Sequence, residues 1–148
     1  MYIHLYALFQ KLDITIAIIM PDDKHRKGGL SVKLELQNGY LDISTDVLTA
    51  ISGYAATSCF GVKGMAAASV SDGIVRMLRK ENISRGVKVT TGQDGLIDTI
   101  ELHIIVRHGV NISAVCRSIM SEVRYVVENL TGLKVKNVDV CVDSITAD

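Results

Sequence analysis

Residues 108–145 decide the fold, and they read HGVNISAVCRSIMSEVRYVVENLTGLKVKNVDVCVDSI. Their apolar side chains recur at steps of three and four residues, which is the spacing of one face of an α-helix. The stripe consists of Ile112, Cys116, Ile119, Val123, Val126 and Leu130, widened by Val115 and Val127. Asn111 predicts an N-cap, and Gly132 predicts a left-handed end after which Leu133 folds back. Such a helix needs a sheet to cover. The mostly apolar residues 138–142 predict one strand of that sheet.

The composition indicates one domain without a strong electrostatic preference. A chain of 148 residues is long enough to bury a sizeable core. It carries 16 basic and 16 acidic residues, so no global field attracts nucleic acid or an anionic membrane. Its three cysteines, Cys59, Cys116 and Cys141, form no CxxC pair. This usage favours free thiols in a reducing compartment over a disulfide or a metal site.

The first 27 residues are expected to be a leader or linker, with the domain spanning residues 28–148. Their longest apolar run, residues 14–20, is too short to cross a bilayer. A polar, charged stretch follows at residues 21–27, as is typical of a linker. The alternative is an additional helix or strand packed on the domain.

A β-hairpin is predicted at residues 30–43, where apolar and polar residues alternate around Asn38-Gly39. A two-residue turn at Asn38-Gly39 would place Leu36 opposite Leu41 and Leu34 opposite Ile43. The apolar face of the first strand would then continue into the second.

Two further helices and two further strands complete the prediction. Ser44 is expected to cap a helix that ends near Ser58, with a second helix at residues 71–80. The inward residues of the first helix are predicted to be Val47, Leu48, Ile51, Tyr54 and Ala55. Small residues such as Gly53 would let another backbone approach it closely. Strands are expected at residues 87–90 and 99–107.

The order β-β-α-α-β-β-α-β predicts an α+β fold. Most strands alternate apolar with polar residues, which is typical of an antiparallel sheet with one solvated face. We therefore expect two layers, with the helices on one face of a mostly antiparallel sheet.

Histidine and cysteine residues form no catalytic pattern in the sequence. A Cys-His nucleophilic pair would need Cys59 or Cys116 beside His103 or His108, and nothing in the spacing requires this. The same residues lack the repeated spacing of a metal site. The sequence therefore predicts neither catalysis nor a metal or other cofactor, although an enzyme using Cys or His stays an alternative.

The tetrapeptide Gly61-Val62-Lys63-Gly64 offers a second functional interpretation. A GxxG loop between two helices is how KH domains clamp the backbone of single-stranded nucleic acid. Basic residues follow it at Arg76, Arg79 and Lys80, on the helix predicted next to the loop. A solvated basic helix face after a glycine turn explains the same residues without nucleic acid.

Several short motifs, taken in order, resemble the alkaline shock protein family of Gram-positive bacteria. They are GYLDIS at residues 39–44, GVKGM at 61–65, RGVKV at 85–89, VRHG at 106–109, TGL at 131–133 and VDVCV at 138–142. The resemblance spans residues 39–145 and leaves the leader outside. It departs from the family pattern at His108, where an aromatic residue is usual, and at Asp139, where Asn is common. Residues 72–82 are similar to a short, stand-alone subgroup.

This resemblance implies a non-enzymatic protein of stress response and cell-envelope homeostasis. The family offers no catalytic residues to carry over. It implies a cytoplasmic protein that does not insert into the membrane itself. A partner protein sometimes holds it at the membrane. Members of the subgroup are often encoded beside a dihydroxyacetone-kinase-like protein, which is one expected partner.

The face of the sheet that the helices leave uncovered is the predicted contact surface. We expect Tyr40, His103, Ile105 and Cys141 there, near water and surrounded by mixed charges. A scatter of apolar residues with a charged rim is typical of a moderate, reversible protein contact. This face would carry either self-association into a homo-oligomer or binding of the kinase-like protein.

Overall fold

The computed structural model describes residues 31–67, 80–92 and 96–147. The strands are β1 (Ser31–Leu36), β2 (Gly39–Ser44), β3 (Val62–Met65), β4 (Val87–Thr91), β5 (Ile97–Arg107) and β6 (Val135–Thr146). The helices are α1 (Thr45–Ser58) and α2 (Ile112–Thr131), with a 3₁₀ segment at Lys80–Gly86. The α+β class, the predicted order and the mostly antiparallel pairing are confirmed, and β3 is an addition. The leader and residues 71–79 of the predicted second helix lie outside the described residues.

Strand β5 is the centre of a four-stranded sheet. β6 pairs with it in parallel from Ile97 to Arg107, and so occupies one edge along the whole length. A strand has two edges, so β4 and β3 share the other one. β4 pairs antiparallel with the first half of β5, and β3 pairs antiparallel with the last residues of β5. β1 and β2 form a separate two-stranded sheet.

The core lies between β5 and the two helices. Alternate residues of β5, including Ile100, Leu102 and Ile104, are fully buried in the main apolar cluster. α2 adds Val115, Ile119, Val123 and Val127 to the same cluster. Burial of each such side chain contributes roughly 1.5–3 kcal/mol before conformational entropy is subtracted. This face of β5 is therefore a structural surface, whereas the opposite face carries the partly buried Glu101 and His103.

Helix α2 begins and ends as predicted. The Asn111 Oδ1 accepts the Ala114 N–H at 3.0 Å, which satisfies a free amide of the first turn. Gly132 takes a left-handed φ of 73°, and Leu133 folds back into the core. The apolar stripe is longer than the part that packs in the core. Ile112 and Leu130 at its two ends are therefore exposed.

The predicted register of the hairpin is wrong by two residues. The turn is formed by residues 37–38, and Leu36 pairs with Gly39, which takes a φ of 151°. Leu34 therefore lies opposite Leu41 rather than Ile43. Because side chains alternate with a period of two, a two-residue shift keeps the apolar residues on one face.

The alternative interpretation of residues 61–64 as an open GxxG loop does not agree with the structure. Val62–Met65 form β3, with Val62 opposite Val106 and Gly64 opposite Ile105 in β5. Gly61 has a left-handed φ of 88°, which ends the turn after α1, and its carbonyl accepts the Arg107 N–H.

The backbone around Gly61 and Gly64 is therefore engaged with β5 instead of being open to phosphates. Lys63 is exposed at an irregularity of β3, Arg76 and Arg79 lie outside the described residues, and only the backbone of Lys80 lies within them. The pairing removes the geometric basis of the nucleic-acid alternative.

Helix α1 has the predicted ends but presents a different side to the core. Its N-cap is Ser44, as expected. Besides Leu48, its buried residues are the small Ser52, Gly53, Ala55 and Ala56. A Cβ at Gly53 would lie 3.4 Å from the Ile83 carbonyl oxygen, so the small residue permits the close approach. Because small residues take the buried side, Val47 and Tyr54 are exposed, and the prediction that they point inward is wrong.

Candidate functional site

The four residues predicted to share one contact face lie in different environments. His103 and Cys141 are opposite each other on β5 and β6, and both are partly buried. Tyr40 is 72% exposed but belongs to β2 in the separate hairpin. Ile105 is only 2% exposed, so the prediction that it lies near water is wrong. Its pairing partners are Gly64 in β3 and Ser144 in β6.

His103 is held between two carboxylates. Its Nε2 lies 2.9 Å from the Glu101 Oε1, and its Nδ1 lies 2.9 Å from the Asp143 Oδ2. Glu101 precedes it by two residues and therefore shares its face of β5. Asp143 is the extra residue where the register of β6 shifts between Val142 and Ser144. A bulge can re-aim a side chain, and here the carboxylate contacts the ring.

This arrangement stabilises the charged form of His103. Both ring nitrogens can donate to carboxylates only when both carry a proton. Burial by itself lowers the pKa of His103, but the hydrogen bonds to Glu101 and Asp143 outweigh it, so that the pKa is raised. In this state neither ring nitrogen has a free lone pair that could accept a proton from a substrate.

Cys141 is the fourth member of this group of side chains on the outer face of the sheet. Burial raises the pKa of its thiol, and the charges of Glu101, Asp143 and Asp139 raise it further. The Cys141 sulfur, a His103 nitrogen and a Glu101 oxygen all lie within 4.8 Å of one another. Such a set of S, N and O donors can hold a metal ion.

The sequence places His103 and Cys141 on one face but does not predict their grouping with Glu101 and Asp143, because the four members come from two strands. The Glu101-x-His103 and Cys141-x-Asp143 spacings each put two side chains on one face of a strand. Only the parallel pairing of β5 with β6 brings these two pairs together. The i, i+2 spacing of ligand-type residues in two strands was the available signal.

Comparison with known proteins places the chain in a family. The sequence profile of the Asp23 family, described as having a cell envelope-related function, matches residues 33–147. The chain belongs to the Asp23 family. The matched range contains both helices, β2 to β6 and most of β1, together with the group around His103. The resemblance predicted from the sequence motifs is thereby confirmed for the family and its relation to the cell envelope.

Three relatives of this Asp23-family chain come from Gram-positive bacteria. The chain is 38% identical over 117 residues to the uncharacterized protein YloU of Bacillus subtilis, across 78% of this chain and 96% of YloU. It is 34% identical to the uncharacterized protein Spy1614 of Streptococcus pyogenes serotype M6, across 78% of this chain and 95% of Spy1614. It is 31% identical to the uncharacterized protein YqhY of Bacillus subtilis, across 74% of this chain and 79% of YqhY. No solved structure gives a significant match.

The helices can also be compared with the requirements of a membrane span. Within residues 31–67, 80–92 and 96–147, neither helix combines the length and apolar character needed to cross a bilayer.

Proposed function

We propose that this Asp23-family protein acts in cell-envelope homeostasis by binding a partner protein, without catalysis. The observation that carries the proposal is the exposed apolar side of α1. Val47 is 48% exposed and Tyr54 is 70% exposed, and they lie seven residues apart, which is two helical turns. Phe60, in the turn that follows, is 87% exposed. Large apolar side chains on one side of a helix favour a protein contact.

The chemistry of the thiols and of His103 supports a role without catalysis. Burial raises the pKa of Cys59, Cys116 and Cys141, which disfavours the thiolate that a nucleophile requires. His103 is engaged by two carboxylates and contacts no hydroxyl nucleophile among the described hydrogen bonds. These residues have the surroundings of structural groups.

The partner that we propose is the dihydroxyacetone-kinase-like protein implied by the subgroup resemblance. The chain would be cytoplasmic and stress-linked, and its partner would bring it to the membrane. The exposed side of α1 takes the place of the predicted Tyr40, His103, Ile105 and Cys141 face, because that set includes a buried residue and a residue of another sheet. Self-association through the same side of α1 is the competing outcome.

The test is co-purification of the purified kinase-like protein with the tagged chain, together with sedimentation of the chain alone. We expect the wild-type chain to retain the kinase-like protein and to sediment as a monomer at micromolar concentration. Val47→Asp should reduce retention at least tenfold while the circular dichroism spectrum stays unchanged.

The matched control is Leu130→Asp, at an exposed leucine of α2. It adds the same charge to a different helix and should retain the partner. A wild-type chain that retains nothing and stays monomeric would contradict the proposed function. A dimer that Val47→Asp dissociates would replace the kinase-like partner by a second copy of the chain.

A further inference from the structure

The geometry points to a zinc site on the outer face of the sheet, formed by Glu101, His103 and Cys141 and oriented by Asp143. This inference is independent of the protein contact through α1, because it concerns the opposite layer of the fold. The three donor atoms lie within 4.8 Å of one another. Carboxylate oxygen, imidazole nitrogen and thiolate sulfur are the three ligand types that Zn²⁺ takes in proteins.

The donor separations are close to those of a tetrahedral zinc site. Zinc bonds of about 2.0–2.3 Å place tetrahedral ligands roughly 3–4 Å apart. The His103 Nε2 and the Glu101 Oε1 are 2.9 Å apart, and the Cys141 sulfur lies within 4.8 Å of a His103 nitrogen and a Glu101 oxygen. Rotations of the three side chains would bring these donors to tetrahedral separations, with water in the fourth position.

Asp143 is the positioning residue of this site. Its Oδ2 lies 2.9 Å from the His103 Nδ1, so it accepts that proton and leaves Nε2 to face the Glu101 Oε1. Metal-binding histidines commonly donate their second N–H to a carboxylate, which fixes the tautomer and the ring orientation. The bulge in β6 that aims Asp143 at the ring thus has a specific role in the proposed site.

Binding of Zn²⁺ would replace protons with metal charge. The His103 Nε2 and the Cys141 sulfur would each release one proton to solvent, and the metal would bind the freed lone pairs. Glu101 and Asp143 would keep their negative charges, and Asp139 lies opposite Glu101 in β6. The divalent cation would therefore be surrounded by negative charges. Its bonds to ligands on both strands would link β5 to β6.

The test uses the full-length chain with Zn²⁺ and Co²⁺ as probes. Zn²⁺ should bind with one-to-one stoichiometry in competition with a chromophoric chelator, and it should raise the melting temperature. Co²⁺ should give a near-ultraviolet thiolate-to-cobalt band. Bound Zn²⁺ should protect Cys141 from alkylation more than Cys59 or Cys116, as measured by mass spectrometry on the unmodified sequence.

Variants separate the ligands from the positioning residue. Cys141→Ser and His103→Gln should abolish high-affinity binding, and Cys141→Ser should also remove the near-ultraviolet cobalt band. Asp143→Asn should keep that band but weaken Zn²⁺ binding by about 10–100-fold. Cys116→Ser, at the partly buried cysteine of α2, is the matched control and should bind as wild type does.

Three results would overturn the zinc site. One is the absence of a thiolate-to-cobalt band in the wild-type protein, and another is equal alkylation of Cys141 with and without Zn²⁺. The third is loss of the band in Cys116→Ser to the same extent as in Cys141→Ser. The alkylation result needs no substitution, so it holds even if a variant does not fold.

Discussion

Helices α1 and α2 both begin at a polar cap, yet they use their side chains in opposite ways. α2 buries a line of large aliphatic residues, with Ile119 and Val123 fully enclosed. α1 buries Leu48 among small residues and leaves Val47 and Tyr54 in solvent. A large apolar residue contributes to folding only where it is buried. Most of the apolar side of α2 is thus used within the domain, apart from the exposed Ile112 and Leu130 at its ends. In α1, Val47 and Tyr54 lie outside the core and are available to another molecule.

The polar side chains of the two helices show the same difference. In α2, the Arg124 Nη2 donates to the Lys136 carbonyl, and the Glu128 Oε1 accepts the Val135 N–H, so both reach β6. In α1, the hydroxyls of Ser52 and Ser58 donate to carbonyls of the same helix one turn earlier. Arg124 and Glu128 therefore tie α2 to β6, while the hydroxyls of Ser121 and Thr131 bond within α2 as those of Ser52 and Ser58 do within α1.

The largest expected effect is that of Ile119→Asp, which places a carboxylate in the core at a fully buried position of α2. An unpaired buried charge should cost on the order of 4–5 kcal/mol, enough to unfold a domain of marginal stability. Tyr125→Asp, at a residue of the same helix that is 57% exposed, is the control. Circular dichroism during urea denaturation should show a folded control and an unfolded Ile119→Asp chain. A cooperative transition for Ile119→Asp at the wild-type midpoint would contradict the packing of α2.

Removal of the helix caps should have the next largest effect. Asn111→Ala should lower the free energy of unfolding by about 1 kcal/mol, because the Ala114 N–H loses its partner. Ser44→Ala should cost less, since the Ser44 Oγ lies 3.4 Å from the Val47 nitrogen, against 3.0 Å for the cap of α2. Urea midpoints of the two variants test the order, and a larger loss for Ser44→Ala would reverse it.

A smaller, pH-dependent effect is expected at Glu128. Burial raises the pKa of this carboxyl, but hydrogen bonds from the Val135 N–H and Lys134 outweigh it, so the pKa lies below its ordinary value of 4.5. The resulting stabilisation is present above pH 4.5 and is lost as the pH falls through the depressed pKa. Glu128→Gln should cost about 0.5 kcal/mol at neutral pH. The difference in the free energy of unfolding between Glu128→Gln and wild type should shrink in acid. A difference that grows as the pH falls would contradict the stabilisation by ionised Glu128.

The sequence predicted the ends of both helices more accurately than their buried sides. Capping depends on local residues such as Asn111 and Gly132, and these were readable in the sequence. The inward side of α1 depends on how closely the 3₁₀ segment approaches Gly53, which is a tertiary fact. The strand at residues 62–65 also depends on tertiary structure, because its pairing partner lies some forty residues away in β5. The sequence alone therefore favours a loop there.

The candidate sites were predicted less completely than the fold. His103 and Cys141 were expected on one face, and the structure places them opposite each other. Alternation places Asp143 on the face of Cys141, but it does not predict the contact of the Asp143 carboxylate with His103, which depends on the pairing and bulge of β6. Ile105 shows the opposite error, since a position predicted on the solvated face is buried.

The most direct test of the protein contact through α1 compares how Tyr54→Asp and Tyr125→Asp bind the partner. Both substitutions replace an exposed tyrosine of a helix by the same charge, one on α1 and one on α2. The measurement is the dissociation constant of each chain for the dihydroxyacetone-kinase-like protein, with unfolding midpoints as a check on folding. We expect Tyr54→Asp to weaken binding at least tenfold and Tyr125→Asp to bind as wild type does. Equal binding by the two folded variants would contradict it.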